Sequence, residues 1–222
     1  MKVLSDDGNP ILYEGISLDL SARCNWVAIV GSRNVSSEEL ELAHKLAYEC
    51  AKQGKIIISG LAKGIDATAH QGAIDAGGKT IAIVNTPSFQ EIYPKENRHL
   101  AKEIKKNGGI IFPYKNVAVE STKKGLSQFS KRLIERDLLL AHLSSSVITV
   151  KAENGVITGG TKWAFNEAGR LGKKIFLLDL EGNLNDKPLY EERSIFWNME
   201  MNINLIIKEI NKFNTSKNVD SN

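Results

Sequence analysis

One short stretch decides how this chain folds, and it reads Trp26-Val27-Ala28-Ile29-Val30-Gly31-Ser32-Arg33. Its five apolar residues predict a strand buried on both faces, because a strand with one wet face would alternate apolar and polar residues. An amphipathic segment follows from Ser37 to Gln53, and Ser36 with Glu39 forms a capping-box pattern at its start. A buried strand, a glycine turn and a helix make one unit of a parallel sheet.

The same unit recurs along the chain. Strands are predicted at 55–59, 80–84, 109–112, 146–150 and 174–178, and helices at 66–76, 95–106, 133–143 and 161–171. Because continuous apolar strands alternate with helices, we predict an α/β fold with a doubly wound, mostly parallel sheet of the extended Rossmann-like type. Right-handed crossovers are expected between its strands.

Composition divides the chain into three parts. Residues 1–25 form an N-terminal lead-in, residues 26–180 carry the Rossmann-like domain, and residues 181–222 form a C-terminal extension. The extension contains a possible helix near its isoleucines at 203–210. A disordered tail is expected from Asn214, where Asn, Ser and Lys dominate.

Length, charge and cysteine content restrict the class of protein. The 222 residues carry 29 basic and 26 acidic side chains, and a net charge of +3 does not by itself indicate a nucleic-acid partner. No apolar run reaches the ~18 residues of a transmembrane helix, so we expect no membrane association. Two cysteines and an acidic start unlike a secretory signal predict a cytoplasmic protein without disulfides.

Two glycine-rich loops follow the first two strands of the domain and predict an anion site. The first contains Gly31, Ser32 and Arg33, and the second reads Ser59-Gly60-Leu61-Ala62-Lys63-Gly64-Ile65-Asp66. Parallel strands place both loops at one edge of the sheet, beside helix N-termini, where Arg33 and Lys63 can converge on one phosphate. A tight turn is the alternative for either loop alone, but two loops with a cation each favour phosphate.

Further residues extend this candidate site. Asp66 is the nearest carboxylate to either cation along the chain, and we expect it to cap its own helix instead. Gly159-Gly160-Thr161 opens a later helix and either caps it or completes the anion pocket. A basic run is a solvated helix face or an extension of the phosphate track, and it contains Lys123, Lys124, Lys131, Arg132 and Arg136.

Motifs for catalysis and cofactor binding are absent from the sequence. It has no P-loop pattern and no Gly-x-Gly-x-x-Gly after the first strand, which argues against NTP hydrolysis and against NAD or FAD. The four histidines lack metal-ligand spacing, and Cys24 and Cys50 form no Cys-x-x-Cys. His70 follows Asp66 by one helical turn, but a structural histidine is commoner than a His–Asp pair. We therefore expect a binding protein without catalytic residues, metal or cofactor.

Several of these stretches together resemble the DprA/Smf family of bacterial DNA-processing proteins. The first strand with its Gly-Ser-Arg, the second loop continued to His70, and residues 77–82 all match. Tyr93-Pro94-Lys95-Glu96-Asn97 matches the family's Tyr-Pro-x-Glu-Asn. Residues 141–144 resemble its Ala-Gly-Leu-Ser, and residues 167–170 its Glu-x-Gly-Arg. The resemblance covers about residues 9–179 and is specific, because the long second-loop motif would hardly recur by chance.

The resemblance implies binding of single-stranded DNA, a homodimer, and transfer of the strand to a RecA-type recombinase in natural transformation. It implies a phosphate pocket at Ser32, Arg33, Ser59, Gly60 and Lys63. This agrees with the anion site inferred from helix dipoles and cations. The alternative is a nucleotide-derivative-binding or nucleoside-monophosphate-hydrolysing protein of the broader superfamily. A protein-interaction role with a vestigial pocket is a third.

The chain departs from the family pattern and resembles a compact, divergent member. The family's Phe-x-x-Arg-Asn-Arg reads here as residues 133–138, which keep Arg136 but have Leu133 for the aromatic and Leu138 for the second arginine. Stacking on an aromatic contributes ~1–3 kcal/mol per base, so single-strand binding is expected to weaken unless Phe129 substitutes. No C-terminal winged-helix domain is expected.

Overall fold

The computed structural model describes residues 2–4, 10–17, 21–114, 123–150, 159–178, 194–197, 208 and 210–211. Its strands are β1 (Lys2–Leu4), β2 (Pro10–Gly15), β3 (Trp26–Gly31), β4 (Ile56–Ser59), β5 (Thr80–Ile83), β6 (Gly108–Phe112), β7 (Ser146–Val150), β8 (Lys174–Leu178) and β9 (Ser194–Trp197). Its α-helices are α1 (Ser37–Lys52), α2 (Ile65–Asp75), α3 (Arg98–Asn107), α4 (Lys123–Leu143) and α5 (Thr161–Arg170). Short 3₁₀ turns cover Ser21–Asn25, Phe89–Glu91 and Lys95–Asn97.

The strands form one sheet in the order β1-β2-β6-β5-β4-β3-β7-β8-β9. Pairing is parallel from β6 through β3 to β9, and antiparallel where β1 and β2 join at the edge. This confirms the predicted α/β fold with a mostly parallel sheet. The chain starts the parallel part at β3, moves outward to β6, and returns to β7 on the other side of β3. Strand order therefore reverses between β3 and β7, which is where ligands bind in such sheets.

Burial on both faces of β3 explains its continuous apolar sequence. Trp26, Ala28 and Val30 pack into the core cluster that includes residues of α4 and α5. Val27 and Ile29 point the other way, into the cluster with residues of α1 and α2. Helix α1 begins as predicted, because the Glu39 N–H donates to the Ser36 hydroxyl (3.3 Å) and the Ser36 N–H donates to the Glu39 carboxylate (2.6 Å).

Both ends of the described chain join this sheet. No strand is predicted from the sequence within residues 1–25, yet β1 and β2 extend the sheet beyond β6. The buried Tyr13 ring fastens β2 there, and its hydroxyl contacts the carbonyls of Ile16 (2.8 Å) and Gly108 (3.0 Å). At the other end β9 pairs with β8, and Ile210 is buried in the core. Residues 208, 210 and 211 are helical, and the rest of the predicted helix lies outside the described residues. The tail expected to be disordered lies outside the described residues.

Helix α4 is longer than the sequence predicts, since it begins at Lys123 instead of Leu133. Its first ten residues are mostly polar or basic and lack the apolar repeat by which a core-facing helix is recognised. The C-terminal half packs Leu140, Ala141 and Leu143 into the core. The N-terminal half brings the ring of Phe129 into contact with that of Tyr93.

Candidate functional site

A cavity of about 570 Å³ opens at the carboxyl ends of β3 and β7, where the strand order reverses. Four segments line it: the end of β3 with the loop to α1, the segment before and at the start of α2, one face of α4, and the start of α5. Its lining residues are Val30, Gly31, Ser32, Arg33, Asn34, Ala62, Asp66, Ser130, Leu133, Ile134, Arg136, Asp137, Gly159, Gly160, Thr161 and Ala164. The predicted edge of the sheet therefore carries a ligand-sized cavity.

The two predicted glycine loops lie in direct contact. A Cβ on Gly31 would lie 2.6 Å from the Ile65 Cγ1 atom, so the glycine allows α2 to start against the end of β3. Gly64 has a φ of +77°, and a Cβ there would lie 2.4 Å from the Ser32 carbonyl oxygen. The Ile65 N–H donates to that same carbonyl at 3.3 Å. The glycines are thus needed for the two loops to pack together.

Asp66 connects these loops from within. Its buried carboxylate accepts hydrogen bonds from the Gly31 N–H (3.4 Å) and from the Ala62 N–H (3.3 Å). The expectation that Asp66 caps its own helix is wrong, because Gly64 holds the N-cap position without any side-chain bond. Burial raises the pKa of Asp66, although the charge of Arg136 acts in the opposite direction. Asp66 therefore fixes the distance between the two loops.

Arg136 is an internal cation, only 7% exposed. Its Nε and Nη2 both donate to the Asp137 carboxylate (3.0 and 2.7 Å), and its Nη1 donates to the Gly60 carbonyl (2.9 Å). Burial opposes its charge, but Asp137 and Asp66 outweigh burial and keep the pKa of Arg136 above its ordinary value. Burial likewise raises the pKa of Asp137 against the pull of Arg136. Arg136 lines the cavity, with much of its hydrogen bonding taken by protein groups, and its binding of phosphate stays a prediction.

Arg33 is the exposed cation of the large cavity. It follows β3 in a turn that Ser32 orders, since the Ser32 hydroxyl donates to the Asn34 carbonyl (3.1 Å) and accepts from the Asn34 N–H (3.2 Å). Among the residues that the structure describes, no carboxylate lies within ion-pair distance of Arg33. Its guanidinium can therefore offer a bidentate pair of donors to an incoming anion.

Lys63 lies beside a second, smaller cavity of about 40 Å³ that Arg33 also lines. Arg33 and Lys63 thus line one cavity, and their convergence on one phosphate stays a prediction. Lys63 nevertheless has a partner that the sequence did not reveal, because its Nζ donates to the Glu96 carboxylate at 2.9 Å. That hydrogen bond lowers the pKa of Glu96. Both side chains are exposed, so water and ions compete for this pair.

The Tyr-Pro-x-Glu-Asn segment holds the second loop in shape. Asn97 donates from its buried side-chain amide to the Leu61 carbonyl at 2.9 Å. Leu61 lies in the left-handed region at φ +59°, a conformation that is costly for a residue with a side chain. Glu96 and Asn97 are therefore neighbours that contact Lys63 and Leu61 of one loop. These contacts explain why the motif lies beside the second loop, a position that its own residues do not predict.

The third glycine cluster forms the opposite wall of the large cavity. Gly160 is the N-cap of α5, where no side chain caps the helix, and Gly159 has a φ of +64°. Both glycines and Thr161 line the cavity, so the cluster begins the helix and also completes the pocket. The Asp137 Oδ2 atom lies 3.3 Å from the place where a Gly160 Cβ would be. A carboxylate thus faces this helix N-terminus, whose dipole favours negative charge.

The predicted site residues divide into cavity-lining and loop-shaping groups. Seven line the large cavity (Gly31, Ser32, Arg33, Asp66, Arg136, Gly160 and Thr161), and Lys63 lines the small one. Ser59, Gly60 and Gly64 line neither cavity. The buried Ser59 hydroxyl donates to the Ile29 carbonyl at 2.6 Å and joins β4 to β3.

Residues missed by the sequence analysis come mainly from α4. Ser130, Leu133, Ile134 and Asp137 line the large cavity beside Arg136. Their spacing of three and four positions places them on one helix face, and that spacing was the available signal. Asn85 and Tyr93 of the small cavity carried no such signal, because they come from a loop without periodicity.

His70 is structural. Its Nδ1 lies 2.6 Å from the Thr80 hydroxyl, which itself donates to the Ile57 carbonyl at 2.9 Å. Since that hydroxyl proton is used, Nδ1 donates to Thr80. Full burial lowers the pKa of His70 to about 3, so the ring stays neutral. A His–Asp pair with Asp66 does not form.

Two kinds of feature are absent from the described residues. Within those ranges, no group of three His, Cys, Asp or Glu side chains could hold a metal ion. None of the helices described is long and apolar enough to cross a membrane.

The fold is that of a Rossmann-like protein with a cavity at its topological switch point. The chain belongs to the DNA recombination-mediator protein A family, whose model matches residues 2–191. DNA processing protein DprA of Bacillus subtilis is 28% identical over 170 residues, which are 77% of this chain and 53% of that protein. Protein Smf of Borreliella burgdorferi is 38% identical over 112 residues, 50% of this chain and 35% of that protein. The chain thus spans about half or less of these relatives.

Solved structures agree with the family assignment. DNA processing protein A from Helicobacter pylori, described for its single-stranded DNA binding mode, has a TM-score of 0.70 at 26% identity, covering 90% of this chain and 87% of that chain. DprA from Streptococcus pneumoniae has a TM-score of 0.68 at 26% identity, covering 88% and 65%. The molybdenum cofactor binding protein of Rippkaea orientalis, with a TM-score of 0.57 at 18% identity over 83% and 96%, shares the fold alone.

Proposed function

We propose that this protein binds single-stranded DNA as a recombination mediator, with the strand crossing the mouth of the large cavity and a phosphate held by Arg33. The observation that carries the proposal is an exposed arginine at the switch point without an ion-pair partner in the described part of the chain. Family membership and the DNA-binding relative of Helicobacter pylori support it.

The charges around the cavity decide how deep a phosphate can enter. Asp66 and Asp137 are buried residues of its lining, and the charge of the buried Arg136 guanidinium acts on both. A phosphate beside them would meet two carboxylates, and Arg33 as well as Arg136 offsets the charge of Asp137. At the mouth it meets Arg33, and Lys63 stands nearby with a partner that solvent can replace. A strand that runs along the mouth therefore avoids the repulsion inside.

We further propose that binding involves no catalysis by this protein. The carboxylates lining the cavity are engaged, Asp66 by two backbone N–H groups and Asp137 by Arg136. His70 donates to Thr80 away from any cavity lining. These engagements leave the strand to be held rather than cut. Incubation with nucleoside monophosphates should release no free base, and release of base at a measurable rate would contradict this.

Two partners complete the proposal, a second copy of the chain and a RecA-type recombinase. A homodimer would place two phosphate sites on one long strand and raise avidity. Light scattering should give twice the 24.5 kDa of one chain, and a monomer at micromolar concentration would contradict it. For the recombinase, filament formation on strands coated with a single-strand-binding protein should accelerate when this protein is added. An unchanged rate would exclude that partnership.

Fluorescence anisotropy with labelled single-stranded and duplex oligonucleotides tests the DNA site. Arg33→Ala should weaken single-strand binding tenfold or more, because hydrogen bonds to charged groups contribute ~1.5–3 kcal/mol. Arg33→Lys should keep only part of the parent's affinity, since lysine cannot donate two parallel hydrogen bonds to one phosphate. Arg23→Ala is the matched control, because Arg23 precedes β3 and so lies at the amino end of that strand, away from the cavity. Equal affinity of Arg33→Ala and the parent, at equal melting temperature, would overturn the proposed site.

A further inference from the structure

An aromatic pair lies at the rim of the small cavity. Tyr93 is 51% exposed, which is unusual for a large ring, and only Trp163 is comparable in the described part of the chain. The Phe129 ring meets it edge to face, with centroids 5.6 Å apart and planes at 86°. Phe129 belongs to α4, one helical turn before Leu133, where the family pattern has its aromatic. An aromatic ring is thus still offered near that place, although by other residues.

The pair adjoins the proposed phosphate site. Tyr93, Lys63 and Arg33 line the same cavity of about 40 Å³, and Arg33 lines the large cavity too. A cation and an exposed ring at one rim match the two parts of a nucleotide, its phosphate and its base. Single-strand-binding proteins commonly combine a basic groove with aromatic side chains on which bases stack.

An unsatisfied polar group points to a ligand at the same place. Asn85 lines the small cavity, is 2% exposed, and its Nδ2 has no hydrogen-bond partner among the described residues. Leaving such a donor unpaired is costly. A volume of about 40 Å³ accommodates little more than one water molecule. An acceptor on the edge of a base at this cavity, or on a water bridging to it, would satisfy Asn85.

We propose that Tyr93, supported by Phe129, stacks a base of the strand whose phosphate Arg33 binds. The inference rests on the proposed function and adds the residues that hold a base. Phe129 limits the rotation of the Tyr93 ring through their edge contact and leaves about half of Tyr93 open to the strand. Because every base has a π-face, this site accepts any base rather than one sequence.

Anisotropy with two labelled strands of equal length and charge, oligo-dT and an abasic deoxyribose-phosphate strand, isolates the base contact. The parent should bind oligo-dT roughly five- to a hundredfold more tightly than the abasic strand. Tyr93→Leu should remove most of this preference by weakening only oligo-dT binding, and Phe129→Leu should reduce it. Tyr93→Phe should keep it. Tyr48→Leu is the matched control, because Tyr48 stacks on His44 of α1 and lines neither cavity.

The outcomes separate this inference from the proposed function. A parent that binds both strands equally, or a Tyr93→Leu variant that keeps the preference, overturns base stacking and leaves the phosphate site standing. If Arg33→Ala weakens the binding of both strands and Tyr93→Leu weakens only the binding of oligo-dT, the phosphate site and base stacking are both supported. If the parent binds neither strand, the proposed function and the base-stacking inference are both overturned. The melting temperature of the Tyr93→Leu variant verifies that this variant is folded.

Discussion

Arg136 donates a hydrogen bond of 2.9 Å to the carbonyl of Gly60, which lies 76 positions earlier in the chain. This bond fastens α4 to the second glycine loop across the inner end of the site. A Cβ at Gly60 would lie 2.5 Å from the Arg136 Cζ atom and 2.7 Å from its Nη1 atom. Glycine is required at position 60 because any side chain there would occupy the space of the buried Arg136 guanidinium.

Gly60→Ala should therefore destabilise the protein by about 1–3 kcal/mol, the range of an overpacked core. The guanidinium must move, and it then loses bonds to Asp137 and to the loop. Urea unfolding measures the loss. If the collision with Arg136 is the cause, the same change should cost clearly less in an Arg136→Met background, so the two substitutions are non-additive. Full additivity would show that the cost arises elsewhere.

The fold could be read from the sequence because its strands are buried on both faces. A run such as that of β3, apolar from Trp26 to Val30, cannot be interpreted as a half-exposed strand. The two N-terminal strands were missed, since β1 has three residues and β2 begins with a proline and ends with a glycine. The start of α4 was missed for a related reason, because a polar helical half has no apolar period to detect.

The site was predictable to the extent that parallel topology determines it. The loops after β3 and β4 must both lie at the carboxyl ends of the parallel strands. The placement of Arg33 near Lys63 follows from that rule. The pairing of Lys63 with Glu96 does not follow, because the two residues are 33 positions apart and joined through an irregular loop. Arg136 could be identified as a cation, but its burial beside Asp137 depends on how α4 packs.

Glu96→Gln should strengthen single-strand binding by roughly two- to threefold. The change removes the carboxylate that accepts from Lys63 and leaves the Lys63 ammonium available to phosphate. Anisotropy at constant salt measures the effect. Glu91→Gln is the control, because Glu91 accepts from Ser88 and lies outside both cavities. An unchanged or weaker affinity for Glu96→Gln would mean that the ion pair positions Lys63 rather than competing with DNA.

Glu167 should contribute to stability in a pH-dependent way. A hydrogen bond from Arg170, opposed by burial and aided by His142, lowers its pKa from 4.5 to about 2 in the folded protein. A lowered carboxyl pKa stabilises the folded state above the unfolded pKa, and that contribution is lost as pH falls from 4.5 toward 2.

The free energy of unfolding of Glu167→Gln should thus be about 1 kcal/mol lower than that of the parent at pH 7, a value reduced for solvent screening. The difference should shrink steadily between pH 4.5 and 3. Contributions of Asp66 and Asp137, whose raised pKa values act in the opposite direction, are common to both proteins and cancel in the difference. Urea unfolding at pH 7, 4 and 3 measures it. A gap that stays constant with pH would assign the role of Glu167 to packing.

The salt dependence of DNA binding distinguishes the contribution of cationic side chains from that of aromatic rings. Each phosphate neutralised on a single strand contributes roughly 0.7 to the slope of log K against log salt. Arg33→Ala should therefore lower the slope by about 0.7, whereas Tyr93→Leu should weaken binding without changing it, since stacking releases no counterion. Duplex should bind more weakly, because its paired bases cannot reach the ring of Tyr93. A flat salt response, or equal affinity for duplex, would contradict a site in which exposed Arg33 and exposed Tyr93 share one rim.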